Sequence, residues 1–157
     1  MPRLTEKVII LKHIDAFTDG ACSGNPGAGG FGVILRFNGH TKELSGGEEM
    51  TTNNRMELMG VITALEALKE PCEVSLCTDS RYVVDSITKR WVYSWQKNNW
   101  IKSDKKKALN VDLWERLLLL LERHKVSFVW VRGHNGHPEN ERCDELAVAQ
   151  RDIFSKI

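Results

Sequence analysis

Residues 13–45, HIDAFTDGACSGNPGAGGFGVILRFNGHTKELS, read as three strands in succession. His13–Ala21 has strand character and runs out at Asp19-Gly20. A glycine-rich turn from Gly24 to Gly30 leads into the strand Phe31–Phe37, and Asn38-Gly39 is a two-residue hairpin signal that returns the chain along Thr41–Ser45. Outward from this stretch, Thr52–Lys69 reads as a helix that stops before Pro71, Val74–Thr78 as a strand and Ser80–Thr88 as a short helix. Val111–His124 is a strongly apolar helix, Val126–Val131 a strand, and Glu139 to about Phe154 a last helix. Helical crossovers make neighbouring strands parallel, so this order predicts an α/β fold with a mixed sheet and helices on its faces. Gly27-x-Gly29-x-x-Gly32 spells the dinucleotide fingerprint, yet it runs into a strand where that motif must open a helix. A tight turn with close backbone approach explains these glycines better.

At 157 residues, 41% hydrophobic and 27% charged, the chain has the size and composition of one globular domain. Its longest apolar run, Leu117–Leu121, falls far short of the ~20 residues a membrane span needs. The start of the chain has only Val8–Leu11 as an apolar stretch, bounded by lysines, so no secretory signal is expected. Cys22, Cys72, Cys77 and Cys143 form no C-x-x-C pair, which suits reduced thiols in a cytoplasmic protein, and nothing in the sequence points beyond a monomer.

The formal net charge of +1 hides a polarised molecule. From Thr88 to Lys107 there are seven Lys or Arg and one Asp, a local +6, which leaves −5 for the remainder. The same segment carries Trp91, Tyr93, Trp95 and Trp100. Cations interleaved with large planar side chains suit a phosphate backbone with its sugars and bases. The plainer alternative is a solvated helix whose tryptophans pack inward.

Four acids occupy places where acids are costly. Asp19 stands at the exit of an apolar strand, where a simple Asp-Gly turn is the plainer reading. Asp79 ends Val74–Thr78, where it could cap the helix at Ser80. Glu57 shares a helix face with Val61, Ala64 and Leu68, so its carboxylate starts a stripe that faces the core. The alternative there is a capping box with Asn54 as the cap. Asp144 lies early in the last helix, where the dipole favours an acid in any case. Taken together, two acids at neighbouring strand ends and two on helices can converge on one cluster. Clustered carboxylates repel and need cations to hold them. Hard oxygen donors suit Mg²⁺ or Mn²⁺, and a pair of such ions serves in-line phosphodiester hydrolysis.

The loop Arg132-Gly133-His134-Asn135-Gly136-His137-Pro138 leads into the Asp144 helix, and His134 there is suited to shuttle a proton near neutral pH. Zinc on His134 and His137 lacks the cysteine pair that would complete its shell. His137 reads as the residue that leads into the helix.

The segments FTDGACSGNPGAGGFG, TTNNRMELMGVITALEALK, CTDSRYV, KKKALNVDLWERL and VRGHNGHPENERCDELA together resemble bacterial type 1 ribonuclease H, from about Asp15 to Ala149. The resemblance implies a ribonuclease H-like α/β fold. It has a five-stranded mixed sheet of three antiparallel and two parallel strands, flanked by helices, with a basic helical protrusion over about residues 88–110. Residues 13–157 would form the single catalytic domain and residues 1–12 an N-terminal extension. It implies an endoribonuclease that cleaves the RNA strand of RNA–DNA hybrids with two Mg²⁺ ions, Mn²⁺ being able to substitute, leaving 5′-phosphate and 3′-hydroxyl ends. By motif, Asp19, Glu57, Asp79 and Asp144 are the metal-binding acids and His134 the loop histidine. Cys22, Asn25, Asn53 and Asn54 would line the minor groove, where 2′-hydroxyls mark RNA. Thr52 and Asn110 would grip a phosphate of the DNA strand, with Trp91 and Trp95 anchoring that strand on the protrusion. Met50 stands where an arginine of the phosphate pocket is frequent. Arg81 replaces a common glutamine, and as a cation could reach the RNA backbone. Gln96 and Asn98 replace basic residues of relatives. The rival readings are a non-catalytic hybrid-binding module on the same scaffold, and a related nuclease or integrase acting on duplex DNA.

Overall fold

Asn38 and Gly39 both take positive φ, 47° and 78°, the backbone that a two-residue hairpin needs. They join β2 (Gly27–Phe37) to β3 (His40–Thr51), and β1 (Lys12–Cys22) pairs antiparallel on the other side of β2. The computed structural model describes residues 10–133 and 137–156. Beyond the three-stranded meander come α1 (Asn53–Glu66), β4 (Cys72–Thr78), α2 (Arg81–Thr88), α3 (Trp91–Lys97), α4 (Val111–Arg123), β5 (Lys125–Trp130) and α5 (Pro138–Ser155). The sheet order is β3-β2-β1-β4-β5, with β4 parallel to β1 and β5 parallel to β4. The expected mixed sheet of three antiparallel and two parallel strands is therefore present. No helix among the described residues is long and apolar enough to cross a membrane.

One face of the sheet takes α1 and, behind it, α4; the other takes α5. The main core lies under α1, where Met56, Val61, Ile62 and Leu65 meet Phe31, Val33 and Leu35 of β2 and Trp114 and Leu117 of α4. On the opposite face the helix backbone itself comes down on the sheet. A Cβ on Gly32 would collide with the carbonyl oxygen of Cys143, and one on Gly30 with that of Ala147. Close approach is thus what these glycines provide, but within a strand and not in a turn: residues 27–30 belong to β2, because a glycine ribbon is what lets α5 lie flat. We expect Gly32→Ala to destabilise the protein by about 1–3 kcal/mol, the scale of overpacking, read as a lower urea midpoint at unchanged slope. An unchanged midpoint would show that α5 can shift without loss.

Other local expectations are corrected. α1 is capped by Thr52, whose Oγ1 accepts from the Arg55 N–H at 3.2 Å, so the Asn54–Glu57 capping box does not form and Glu57 is released for another role. α2 is capped by Ser80, whose Oγ accepts from Val83 N–H at 3.2 Å, so the cap is Ser80 and not Asp79. β3 runs on to Thr51, past the expected Ser45, since β2 itself begins four residues earlier than the apolar pattern shows. The basic segment is only partly a surface helix. Val92 is fully buried, and Tyr93, Trp95 and Trp100 pack against the core, while Trp91 stays 44% exposed.

Candidate active site

The parallel register of β1 and β4 pairs Phe17 with Cys77. Two residues further along each chain stand Asp19 and Asp79, so register alone brings these carboxylates level with each other. Glu57 arrives from α1, on the stripe that faces the core, and is only 3% exposed. Each of the three offers a carboxylate oxygen within 4.8 Å of the others. The backbone N–H of Gly20 ties two of them together, donating to Asp19 Oδ1 at 2.9 Å and to Glu57 Oε1 at 3.2 Å. A side chain at Gly20 would forbid this, because its Cβ would stand 2.8 Å from the Glu57 backbone nitrogen. Asp144, in the second turn of α5, lines the same cavity of about 460 Å³ together with Asn53, Asn54 and Arg81. It stands outside the close group of three, yet its charge helps to push up the pKa of Asp19.

Burial, then the charge of Asp79, then that of Asp144 raise the Asp19 carboxyl from 3.8 to about 7. Glu57 is held well above the carboxylate range by burial, then by Asp19 and Asp79. Its Oε2 is buried without a hydrogen-bond partner. Two acids that resist ionising, one with an orphaned oxygen, form a donor set that fits a hard divalent cation. Such a cation must displace protons at acid pH and not at alkaline pH. We therefore expect Mg²⁺ to raise the melting temperature more at about pH 8 than at about pH 5.5. Equal shifts at both would mean that the ion binds elsewhere.

The expected hybrid-binding residues gather at the N-terminus of α1. Asn25 Oδ1 accepts from the Asn53 N–H at 3.3 Å, and the half-buried Cys22 donates its Sγ–H to the Gly24 carbonyl at 2.6 Å. Thr52 and Asn110 are joined through Arg55, whose N–H meets Thr52 Oγ1 and whose Nη1 approaches Asn110 Oδ1 at 3.5 Å. Arg55 in turn forks onto both oxygens of Asp112, at 3.0 and 2.7 Å. Trp91 and Trp95 line a second cavity of about 500 Å³ on the protrusion, with Ser94, Asn98 and Lys102. Trp95 is also structural, its ring edge-on to Trp114 at 6.3 Å. His134 lies outside the described residues. Gly133, the last described residue before it, lies against the acids, since a Cβ there would stand 2.7 Å from Asp79 Oδ2.

Sequence reasoning missed Tyr82, Arg55 and Trp130. Tyr82 lines the acid cavity, and its hydroxyl accepts from Trp114 Nε1 at 2.9 Å and from Asn110 Nδ2 at 3.3 Å. Trp130 donates Nε1–H to the Asp79 carbonyl at 3.1 Å. The pattern of β5 carried one usable signal, an aromatic at the end of a strand next to the histidine loop.

Fold and site together define a class: a mixed α/β domain that gathers carboxylates able to hold a metal ion at the ends of its central parallel strands. The RNase H family model matches residues 12–152. The chain belongs to the ribonuclease H family, which makes it a ribonuclease H hydrolase. It is 62% identical over 139 residues to a ribonuclease H of Desulforamulus reducens, spanning 88% of this chain and 87% of that protein. Among solved structures, LC9-RNase H1, a type 1 RNase H with the type 2 active-site motif, superposes with a TM-score of 0.82 at 34% identity, over 94% of this chain and 76% of that one. LC11-RNase H1, solved in complex with an RNA/DNA hybrid, matches with a TM-score of 0.68 at 25% identity, over 89% of this chain and 97% of that one.

Proposed function

We propose that the acid cavity hydrolyses the RNA strand of RNA–DNA hybrids and leaves 5′-phosphate and 3′-hydroxyl ends. The observation that carries this is the meeting of Asp19, Glu57 and Asp79 within 4.8 Å, at a cavity edged by Asp144 and the asparagines of α1. Bound among these acids, two Mg²⁺ ions, or Mn²⁺ in their place, would activate the attacking water and offset charge on the leaving 3′ oxygen. Gly20 N–H keeps Asp19 and Glu57 in one orientation, so their oxygens are preset to take up the cations that would face the scissile phosphate. Asp79 and Asp144 complete the ligand set from β4's end and from α5. His134 takes or returns a proton from the loop between β5 and α5. Cys22, Asn25, Asn53 and Asn54 read the 2′-hydroxyls of the minor groove, while Arg81 meets the RNA backbone. Thr52 and Asn110 hold a phosphate of the DNA strand, and Trp91 and Trp95 seat that strand on the basic protrusion. Residues 13–157 act as one catalytic unit and residues 1–12 as an extension. The four free thiols suit a reducing cytoplasm, where the protein works as a monomer.

A binding module without catalysis gains nothing from an orphaned buried carboxylate oxygen, which destabilises the fold unless a cation fills the site. The decisive experiment incubates hybrid, duplex RNA and duplex DNA, each with and without Mg²⁺. Cleavage of the hybrid's RNA strand, with Mg²⁺ only, is the expected outcome. Hybrid retention without cleavage would favour the binding module, and cut duplex DNA the integrase-like alternative.

A further inference from the structure

Arg81 opens α2, at the end of the helix dipole that favours acids over cations. Its guanidinium lies 4.0 Å from the ring centroid of Trp130, the last residue of edge strand β5. Trp130 is itself anchored by its Nε1–H bond to the carbonyl of Asp79. The indole is thus tied to the chain segment that carries a cavity acid, and the guanidinium is tied to the indole. Among the described residues lining the acid cavity, Arg81 is the one Lys or Arg. A long cation beside several carboxylates would ordinarily fold onto them and occupy the site. The 4.0 Å contact with the ring holds the guanidinium away from them, and an arginine engaged by an aromatic face keeps N–H donors on its edge for a two-pronged bond to phosphate. Thr52 and Asn110, the residues proposed for the DNA strand, do not line this cavity, so the phosphate that reaches Arg81 belongs to the strand being cut.

We infer that Trp130 is a positioning residue that holds Arg81 as a preset clamp on one RNA-strand phosphate beside the scissile linkage. This rests on the hybrid hydrolysis proposed above. The test compares wild type, Arg81→Gln, Trp130→Ala, Trp130→Phe and the Arg81→Gln/Trp130→Ala double variant in steady-state cleavage across a salt series. Arg81→Gln should raise KM about 10-fold with kcat within about twofold, the scale of one charged hydrogen bond. It should also lower the salt slope of log KM by about one phosphate contact. Trp130→Ala should match it in both, and the double variant should be no worse than either, since both remove one interaction. Trp130→Phe, which keeps a ring face but loses the anchoring Nε1–H, should fall between wild type and Trp130→Ala. A hybrid with a single neutral methylphosphonate next to the cleavage site, in its RNA strand, should slow wild type and leave Arg81→Gln no slower than before. An unchanged KM in Arg81→Gln, additive effects in the double variant, or a Trp130→Phe as impaired as Trp130→Ala would each overturn the clamp while wild type still cleaves. Failure of wild type to cleave the hybrid at all would instead remove the reading beneath it.

Discussion

Replacing Asp19 by Asn should cut hydrolysis of a hybrid's RNA strand on the order of 10³-fold or more, about 4 kcal/mol of transition-state stabilisation, while the protein stays folded. Asn preserves the volume and can still accept from Gly20 N–H, but it removes the charge that the site is built to present. The same change should stabilise the metal-free protein at neutral pH. The Asp19 carboxyl titrates at 3.8 when unfolded and about 7 when folded, so between those values the folded state binds the extra proton. Stability therefore falls as pH rises from about 4 to about 7 and levels off above. At roughly 1.4 kcal/mol per tenfold step the ceiling of this loss is on the order of 4 kcal/mol, all of it absent from the Asn variant. Urea titrations of both proteins in a chelator should separate with rising pH and converge near pH 4. Parallel curves across the range, or cleavage within tenfold of wild type, would remove Asp19 from the centre of the site.

The largest loss of stability should come from Trp114→Ala, about 3–5 kcal/mol. Trp114 is fully buried between α1 and the protrusion, the largest side chain wholly inside the core. Its Nε1–H is satisfied by the Tyr82 hydroxyl, Tyr82 stands edge-on to it at 5.6 Å, and Trp95 packs against it from the protrusion. Removing it opens a cavity and also undoes the junction that joins α2, α3 and α4. A domain stable by about 5–15 kcal/mol would be left marginal. Trp114→Phe, which retains most of the apolar surface but leaves the Tyr82 hydroxyl only its bond from Asn110 Nδ2, should lose less than half as much by urea unfolding. A loss under about 1 kcal/mol for Trp114→Ala would mean that the protrusion docks through other contacts.

Most of this molecule was legible in its sequence, for reasons that are local. Asn38-Gly39 can hardly be anything but a hairpin turn, because few residues accept positive φ at both positions. Glu57 could be placed facing the core from its helical spacing, and its burial at 3% exposure bears that out. What misled was local too. Residues 27–30 look like a turn because glycines signal loops, yet they form a strand whose bareness is required by a helix more than a hundred residues away. Asn54 and Asp79 both look like caps, and in each case a neighbouring hydroxyl, Thr52 or Ser80, does the capping.

Sequence by itself determined most of the strands and helices, that four acids stand in unusual places, and that the chain resembles ribonuclease H. Those are matters of spacing, propensity and motif, and they depend on near neighbours along the chain. Only the tertiary structure decided that Asp19, Glu57 and Asp79 share one site while Asp144 waits at its rim, and that Trp130 lies under Arg81. Distances of a few ångströms between residues tens of positions apart are set by sheet register and by how closely helices can approach glycine-lined strands. No short window of sequence contains that information.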